Sequence, residues 1–225
     1  MAPFPQQTLL QLAARYNAYI EPLQILIYLP TLLIFALLLR GAKQDTSRGV
    51  LLLLGAEWAM VGVLFWFNMV AKVHWIGFAA GAVFLAAGLY YAVGASRSFP
   101  PHFRWRRDNT TLLSLSVTAF GILGYPGVSW ILGRSYPAVT TYGLMPGSVA
   151  LLTLGVALSA RPGPRLWLLG PPLLVTLLSP FSILWWDIWE DYALLPLGLV
   201  AFVAWAKWHK KNVDAPTKDT IRFDF

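Results

Sequence analysis

Glu57 is the residue of this sequence whose position most strongly suggests chemistry, because it lies inside an apolar run from residue 49 to residue 71. An ionised side chain deep in a membrane costs at least about 2.5 kcal/mol and must face the interior of a helix bundle. Asn68 follows eleven residues later, which on a regular helix returns to nearly the same face. The spacing predicts a polar stripe that contains Glu57 and Asn68.

Two interpretations of Glu57 stay open. A protonated Glu57 could hydrogen-bond to a neighbouring helix and hold the bundle together. Alternatively, Glu57 could bind a substrate or relay protons. No Lys or Arg lies in mid-span, so we expect Glu57 to be protonated at rest and its partners to come from other runs. The candidate partners are Tyr125, Ser129, Thr118, Thr153, Thr176 and the backbone freed at Pro126.

Lys72 and His74 lie where the second apolar run turns into the third, at a depth close to that of Asn68. His74 could sense pH or contact a ligand. The alternative is that it is simply solvated at the membrane interface.

Asp187 marks a third candidate site near the end of the sixth run. Together with Glu190 and Asp191 it could form an acidic mouth that collects cations. The same acids alternate with aromatic residues, which is typical of an aromatic belt at a membrane interface. Those aromatic residues are Trp185, Trp186, Trp189 and Tyr192.

Tyr125 lies in one of several places where glycine and proline interrupt an apolar run, Gly124-Tyr125-Pro126-Gly127. Broken helices can supply free backbone groups to a substrate site. They can equally be packing kinks. In the third run, Gly77, Gly81 and Gly88 share a face that predicts close packing against another helix.

Signatures of catalysis and of cofactor binding are missing from the sequence. There is no cysteine, no HExxH motif and no phosphate-binding glycine loop. His74, His102 and His209 fall on both predicted sides of the membrane, so they do not suit a common metal or haem. A retinal chromophore would need a lysine in mid-helix, and Lys207 lies at the end of the last run. We predict no enzyme, no cofactor and no metal.

These residues must be positioned by membrane helices. The chain is 57% hydrophobic and 12% charged, against about 25% charged residues in a soluble domain. Continuous apolar runs favour helices over an alternating barrel. The runs predict an all-α polytopic bundle of about seven transmembrane helices, at about 24–40, 49–71, 73–95, 111–133, 141–160, 165–187 and 191–208.

The basic residues predict the orientation of this bundle. With seven spans, fourteen of the seventeen Lys and Arg residues fall on one side, which is typical of the cytoplasmic side. Only Arg15, Lys72 and Arg134 fall on the other. We therefore expect the N-terminus outside and the C-terminus inside, in the inner (plasma) membrane. The net charge of +7 then indicates orientation and not nucleic-acid binding.

Three regions follow along the chain. Residues 1–23 form an N-terminal segment in which Leu9, Leu12, Tyr16 and Ile20 recur at helical spacing, which predicts an amphipathic helix lying in the interface. A disordered tail is the alternative. Residues 24–208 form the transmembrane domain. Residues 209–225 form a cytoplasmic tail that we expect to be flexible.

Three short motifs carry a resemblance to a known family. They are Tyr16-Asn17 with Pro22 and Gln24, Tyr142-Gly143-Leu144-Met145-Pro146, and Thr153-Leu154-Gly155. With them the chain resembles an uncharacterised bacterial family of seven-span integral membrane proteins, a domain of unknown function. The resemblance implies a fold and an inner-membrane location. It also draws attention to Tyr142, Pro146 and Thr153.

The sequence leads to two hypotheses about function. The first is a small-solute or ion transporter, or a permease-like component, with Glu57 as its polar centre. The second is a non-transporting membrane subunit or scaffold that works with a partner protein. Besides the lipid bilayer, the expected partners are a small solute or cation and a membrane protein or second copy. A transporter should have a cavity that reaches Glu57, whereas a scaffold should pack Glu57 in a dry seam.

Overall fold

The computed structural model describes residues 2–21, 24–40, 44–97, 100–105, 108–143, 145–161 and 163–213. They form a helical bundle with one short strand pair, which confirms the all-α class that the apolar runs predict. The elements are α1 (Gln6–Ile20), α2 (Gln24–Arg40), α3 (Gln44–Met60) with a π-helical continuation (Val61–Phe67), a 3-10 turn (Val70–Lys72), α4 (Ile76–Ala95), β1 (His102–Phe103), α5 (Asn109–Ala119) with a π-helical continuation (Phe120–Gly124), α6 (Tyr125–Ile131), α7 (Pro146–Leu158), β2 (Ala160–Arg161), α8 (Leu166–Trp186), a 3-10 turn (Trp189–Ala193) and α9 (Leu194–Val213).

Four helical stretches are long and apolar enough to cross a membrane: Gln44–Lys72, Ile76–Ala95, Asn109–Ile131 and Leu166–Trp186. Two other apolar helices, Ile27–Arg40 and Pro146–Leu158, are shorter. These lengths support association with a membrane. Within the described ranges, length and hydropathy alone select fewer spans than the seven that the sequence predicts.

Helix α7 lies at the centre of the bundle. All its side chains from Gly147 to Leu158 are buried, and it packs between α5 and α8. Close approach to α5 depends on Gly155, where an added Cβ would lie 2.8 Å from the carbonyl oxygen of Ser114. The Ser114 hydroxyl in turn donates to the Gly155 carbonyl oxygen at 2.6 Å. A helix this enclosed contacts protein on every side.

Helices α3 and α4 form a tightly packed hairpin through facing glycines. A Cβ added at Gly55 would lie 2.7 Å from the Gly88 carbonyl oxygen, and one added at Gly88 would lie equally close to the Gly55 carbonyl oxygen. About two helical turns after Gly55, a Cβ added at Gly62 would lie 3.0 Å from the Gly81 carbonyl oxygen. The small-residue face that the sequence predicts on the third run is therefore the face that meets α3.

The N-terminal segment is helical, as its spacing predicts, but its apolar face packs on the protein. Leu12 and Tyr16 are buried, while Arg15 is exposed. The Asn17 amide donates to the carbonyl oxygens of Pro137 at 2.6 Å and Val139 at 2.9 Å. The extended segment before α7 has free carbonyl groups, and Asn17 satisfies two of them, so α1 belongs to the bundle surface and does not lie on lipid alone.

The last helix ends later than the predicted boundary of the transmembrane domain. Helix α9 continues to Val213, past residue 208. Residues 214–225, where the flexible tail is predicted, lie outside the described residues.

At the opposite end from α1, β1 and β2 tie two connections together. His102 pairs with Arg161 and Phe103 with Ala160 in antiparallel register. Asp108 caps α5, because its Oδ1 accepts from the Thr111 backbone N–H at 2.7 Å, and its Oδ2 pairs with Arg161 at 2.8 Å. One carboxylate thus fixes both a helix start and a strand.

Candidate functional site

Glu57 lies in a buried cluster of hydroxyl groups. Its side chain is 1% exposed, and its Oε1 accepts from the Thr31 hydroxyl of α2 at 2.6 Å. The Thr31 oxygen also lies 2.9 Å from the hydroxyl of Tyr142, in the segment before α7. Thr31 has one hydroxyl proton, so it donates to only one of these two oxygens at a time, and the Tyr142 hydroxyl also hydrogen-bonds to the Glu57 carboxyl. Three elements therefore meet at this carboxyl.

Aromatic side chains close this cluster. The ring of Tyr28 lies 5.4 Å from that of Tyr142, and beside Glu57 the Trp58 indole N–H donates to the Thr153 hydroxyl at 2.9 Å. No ion pair to Glu57 forms within the described part of the chain. Glu57 and its neighbours therefore form a packed seam that joins α2, α3 and α7.

Asp191 is another buried carboxyl and lies beside the buried Glu190 in the 3-10 turn before α9. It is 6% exposed, and it contacts the hydroxyls of Tyr125 from α6 and Ser182 from α8. The Ser182 hydroxyl also lies 2.8 Å from the Ser179 carbonyl oxygen. Because Ser182 has a single hydroxyl proton, it donates to only one of these two oxygens at a time.

Burial raises the pKa of Asp191 to about 6. The hydrogen bonds from Ser182 and Tyr125 lower this pKa, and the charge of Glu190 raises it, but desolvation is the largest of these effects. Asp191 is therefore close to half-protonated in mildly acidic solution.

Arg134 neutralises Glu190 and not Asp191. Its Nη1 lies 2.6 Å from Glu190 Oε1, which also accepts from the Thr140 hydroxyl at 2.8 Å. Its Nη2 donates to the Asp187 carbonyl oxygen at 2.9 Å. Among the described residues, Asp191 has no cationic partner.

A cavity of about 350 Å³ lies between α4 and α8 and reaches Asp191. Its walls are almost entirely apolar and aromatic. The polar residues in its lining are Ser179, Ser182 and Asp191. Its outer edge includes Val83, Leu178 and Phe181, which are each about half exposed. An apolar pocket with a few converging polar groups is the usual form of a small-molecule site.

A protein-family profile matches residues 6–214, and the family is described as one of unknown function, DUF6064. The chain belongs to this family. The match confirms the resemblance to an uncharacterised family, and it brings no activity with it. No curated protein and no solved structure matches the DUF6064 chain.

The sequence-predicted site residues do not form one site in this DUF6064 protein. Tyr142 meets Glu57, and Tyr125 meets Asp191. Asn68 lies about 16 Å along the helix from Glu57, and its Oδ1 accepts from Lys72 Nζ at 2.9 Å. The helix between the two residues contains π-helical turns, so the 3.6-residue periodicity that predicts a common face for Glu57 and Asn68 does not hold there. Asn68 and Glu57 thus do not share a site.

His74 and Asp187 lie apart from both carboxyl clusters. The His74 Nδ1 accepts from the Ile76 backbone N–H at 3.2 Å at the start of α4. Asp187 ends α8 with φ of 50°, and its side chain is exposed. Of the three acids that could form an open mouth, only Asp187 faces outward, because Glu190 and Asp191 are buried.

Sequence reasoning missed Thr31, Ser182 and the special position of Asp191. A hydroxyl residue in an apolar run gives little signal, since it can bond to its own helix. Asp191 is hidden among aromatic residues that are typical of an interface. The one available signal is Ser179-Pro180, a helix interruption just before Ser182.

Replacement of Glu57 tests the seam. Glu57→Gln keeps an acceptor for Thr31, so its melting temperature in detergent should stay close to that of the wild type. Glu57→Ala removes the shared acceptor and leaves the hydroxyls of Thr31 and Tyr142 only each other, so one buried hydroxyl proton loses its partner, which costs about 1–3 kcal/mol. We expect a clear fall in melting temperature for Glu57→Ala. Equal melting of Glu57→Ala and wild type would contradict the seam.

The titration of Asp191 gives a pH dependence. Its pKa is higher in the folded protein than its ordinary value of 3.8, so its contribution to stability is complete below about pH 4 and is lost as the pH rises through about 6. The difference is on the order of 3 kcal/mol. The melting temperature in detergent should therefore fall between pH 4 and pH 7, and Asp191→Asn should flatten this fall.

Asp187→Asn is the control for this titration, because it removes an exposed carboxyl four residues away and asparagine tolerates a positive φ. It should keep the wild-type pH dependence. If the melting temperature of Asp191→Asn fell with pH as steeply as that of the wild type, a group other than Asp191 would be responsible for the pH dependence.

Proposed function

We propose that the chain is a multi-pass protein of the inner (plasma) membrane with seven membrane-embedded helices: α2, α3, α4, α5 with α6, α7, α8 and α9. Four of these stretches have the length and hydropathy of a span. At about 20 Å, α7 is shorter than the roughly 30 Å of a bilayer core. Its complete burial supports its place inside the bundle, because protein and not lipid surrounds its ends.

The count of basic residues carries the proposed orientation, with the N-terminus outside and the C-terminus inside, and the contacts at the two ends of the bundle agree with the grouping of connections that it assumes. At one end, the paired strands bring Arg104 and Arg161 together. At the other end, Phe4 stacks on Trp186 with ring centroids 5.1 Å apart, and His74 lies 6.0 Å from Phe4. The connections predicted on one side thus meet each other. Five of the basic residues behind this orientation lie outside the described residues: Lys43, Arg106, Arg107, Lys218 and Arg222.

The function that the geometry supports best is that of a small-solute transporter or permease-like component that binds its solute beside Asp191. The cavity between α4 and α8 carries this proposal. Its walls are apolar, and it reaches Asp191, a buried carboxyl that forms no ion pair with any described residue. Glu57 is the weaker candidate for the polar centre, because it lies in a packed seam and does not line this cavity.

A non-transporting membrane subunit is the second candidate. The closed seam at Glu57 favours it, since a scaffold should bury this carboxyl dry among hydroxyl groups. In that case the cavity would hold a bound molecule that never crosses the membrane, and a partner protein or a second copy would supply the activity.

Cysteine accessibility tests the topology, because the protein has no cysteine of its own. Ser96 and Ser135 are both exposed, at opposite predicted sides. In intact cells, Ser135→Cys should react with an impermeant thiol reagent and Ser96→Cys should react only after the cells are opened. The reverse pattern would contradict the orientation.

Reconstituted transport tests the function. We expect proteoliposomes with the wild-type protein to take up radiolabelled choline or ethidium faster than protein-free liposomes do. Asp191→Asn should lower this uptake at least tenfold, because the cavity loses its negative charge. Asp45→Asn is the control, since Asp45 is fully exposed at the start of α3.

Two further variants separate the hypotheses about the polar centre. If Glu57→Gln or Asp187→Asn abolishes uptake and Asp191→Asn does not, the solute site is not the cavity. If the wild type takes up neither cation, the non-transporting subunit replaces the transporter.

A further inference from the structure

Two arginines flank Trp167 where the end of α4 meets the start of α8. The Trp167 ring packs on α4, since a Cβ added at Gly94 would lie 2.8 Å from Trp167 Cζ3. The Arg97 guanidinium lies over the same ring, with its Cζ 4.5 Å from the ring centroid. Arg165 directly precedes α8, two residues before Trp167. Two cations therefore lie at this junction, one of them stacked on an aromatic ring.

Neither of these two cations has an acidic partner within the described ranges. The described acids at this end of the bundle belong to other arginines. Asp108 pairs with Arg161 at 2.8 Å, and Asp45 lies 3.9 Å from Arg48. Stacking on an indole ring holds a guanidinium in place but does not neutralise its charge. The junction therefore offers positive charge to an anion from outside the protein.

The junction lies at the depth of lipid head groups when α4 and α8 cross a membrane. Helix α4 has 20 residues and a length of about 30 Å, which matches the hydrocarbon core of a bilayer. Arg97 follows its last residue by two positions, and Arg165 precedes the neighbouring candidate span. The helix surface next to the two arginines is apolar and exposed at Leu89, Val93 and Leu166. An anion that carries apolar chains complements both surfaces.

We propose that the junction of α4 and α8 binds an anionic glycerophospholipid, whose phosphate pairs with Arg97 and Arg165 and whose acyl chains lie on the exposed apolar surface of the two helices. Basic pockets between membrane helices on the cytoplasmic side bind head groups of this kind. A zwitterionic lipid suits the junction less, because its own cation would meet two arginines.

This site is separate from the cavity beside Asp191. The cavity lies at the other end of both helices, between the start of α4 and the end of α8. Binding at the junction requires that α4 and α8 are embedded in a membrane, and it does not require that the protein transports a solute.

Lipid titration of the delipidated protein in detergent micelles tests this proposal. The probes are phosphatidylglycerol and phosphatidylcholine with identical oleoyl chains, and soluble glycerol phosphate. The melting temperature reports binding, because a ligand of the folded state stabilises it. The wild type should bind phosphatidylglycerol at least tenfold more tightly than phosphatidylcholine, and glycerol phosphate at the same concentration should cause no shift. Equal affinity for the two lipids would overturn the anionic site, and an equal shift with glycerol phosphate would overturn the lipid.

Variants of the two arginines assign the head-group contacts. Arg97→Gln should weaken binding of phosphatidylglycerol at least tenfold and leave that of phosphatidylcholine unchanged. Arg97→Lys keeps the charge but loses the planar group that stacks on Trp167, so it should weaken phosphatidylglycerol severalfold. Arg165→Gln should also weaken it severalfold. Arg40→Gln is the matched control, because it removes the same charge from an exposed arginine at the end of α2.

Two outcomes with these variants would overturn the site. Equal losses in Arg97→Gln and Arg40→Gln would indicate a diffuse attraction between the lipid and the basic end of the bundle. Wild-type affinity in Arg97→Gln would show that the phosphate binds elsewhere. The comparison of the two lipids on the wild type decides the question if a variant fails to fold.

The lipid site and the proposed transport function can fail independently. Cation uptake without a preference for phosphatidylglycerol would keep the transporter and remove the lipid site. Tight phosphatidylglycerol binding without any cation uptake would support the lipid site and remove the transporter.

Discussion

The enclosure of α7 is the constraint on which the rest of the structure depends. A helix that is buried from Gly147 to Leu158 requires neighbours on all sides, and those neighbours must approach closely. Gly155 permits this against α5, and Gly121 permits it on the next part of the same stretch, where an added Cβ would lie 2.9 Å from the Ser148 carbonyl oxygen. The long helices are therefore arranged around a short one.

Glu57 and Asp191, the buried carboxyls that have no ion pair among the described residues, differ in what surrounds them and not in their hydrogen-bonding chemistry. Each is bound by hydroxyl groups from other elements, Glu57 by Thr31 and Asp191 by Tyr125 and Ser182. Aromatic rings and α7 close the space around Glu57, whereas a cavity remains beside Asp191. Packing alone thus separates a group that joins helices from one that can meet a ligand.

Much of the helical architecture could be predicted because long continuous apolar runs are typical of helices. The helix α2 spans the predicted run 24–40, and the ends of the other runs lie within about five residues of the observed helices. Glu57 and Tyr142 could also be singled out. Their contact could not, since it depends on how the segment before α7 folds back towards α2.

The misplaced features have identifiable physical causes. Asn68 is separated from the predicted stripe by π-helical turns, which a periodicity of 3.6 residues does not contain. The apolar face of α1 is real, but apolar spacing does not distinguish a lipid surface from a protein surface. Asp191 follows an interfacial aromatic cluster, so its burial appears only when Tyr125 and Ser182 are brought to it by other helices.

The start of α7 links its enclosure to the candidate site. An added Cβ at Gly147 would lie 2.5 Å from the Tyr125 hydroxyl and would also collide with Asp191. Glycine at this position therefore allows the pair Tyr125 and Asp191 to lie against the first turn of α7, where unpaired backbone N–H groups favour negative charge. Pro146, at the first helical position, fixes the start of the helix without needing a hydrogen-bond acceptor there. The same short helix that the bundle encloses thus also helps to position the carboxyl that faces the cavity.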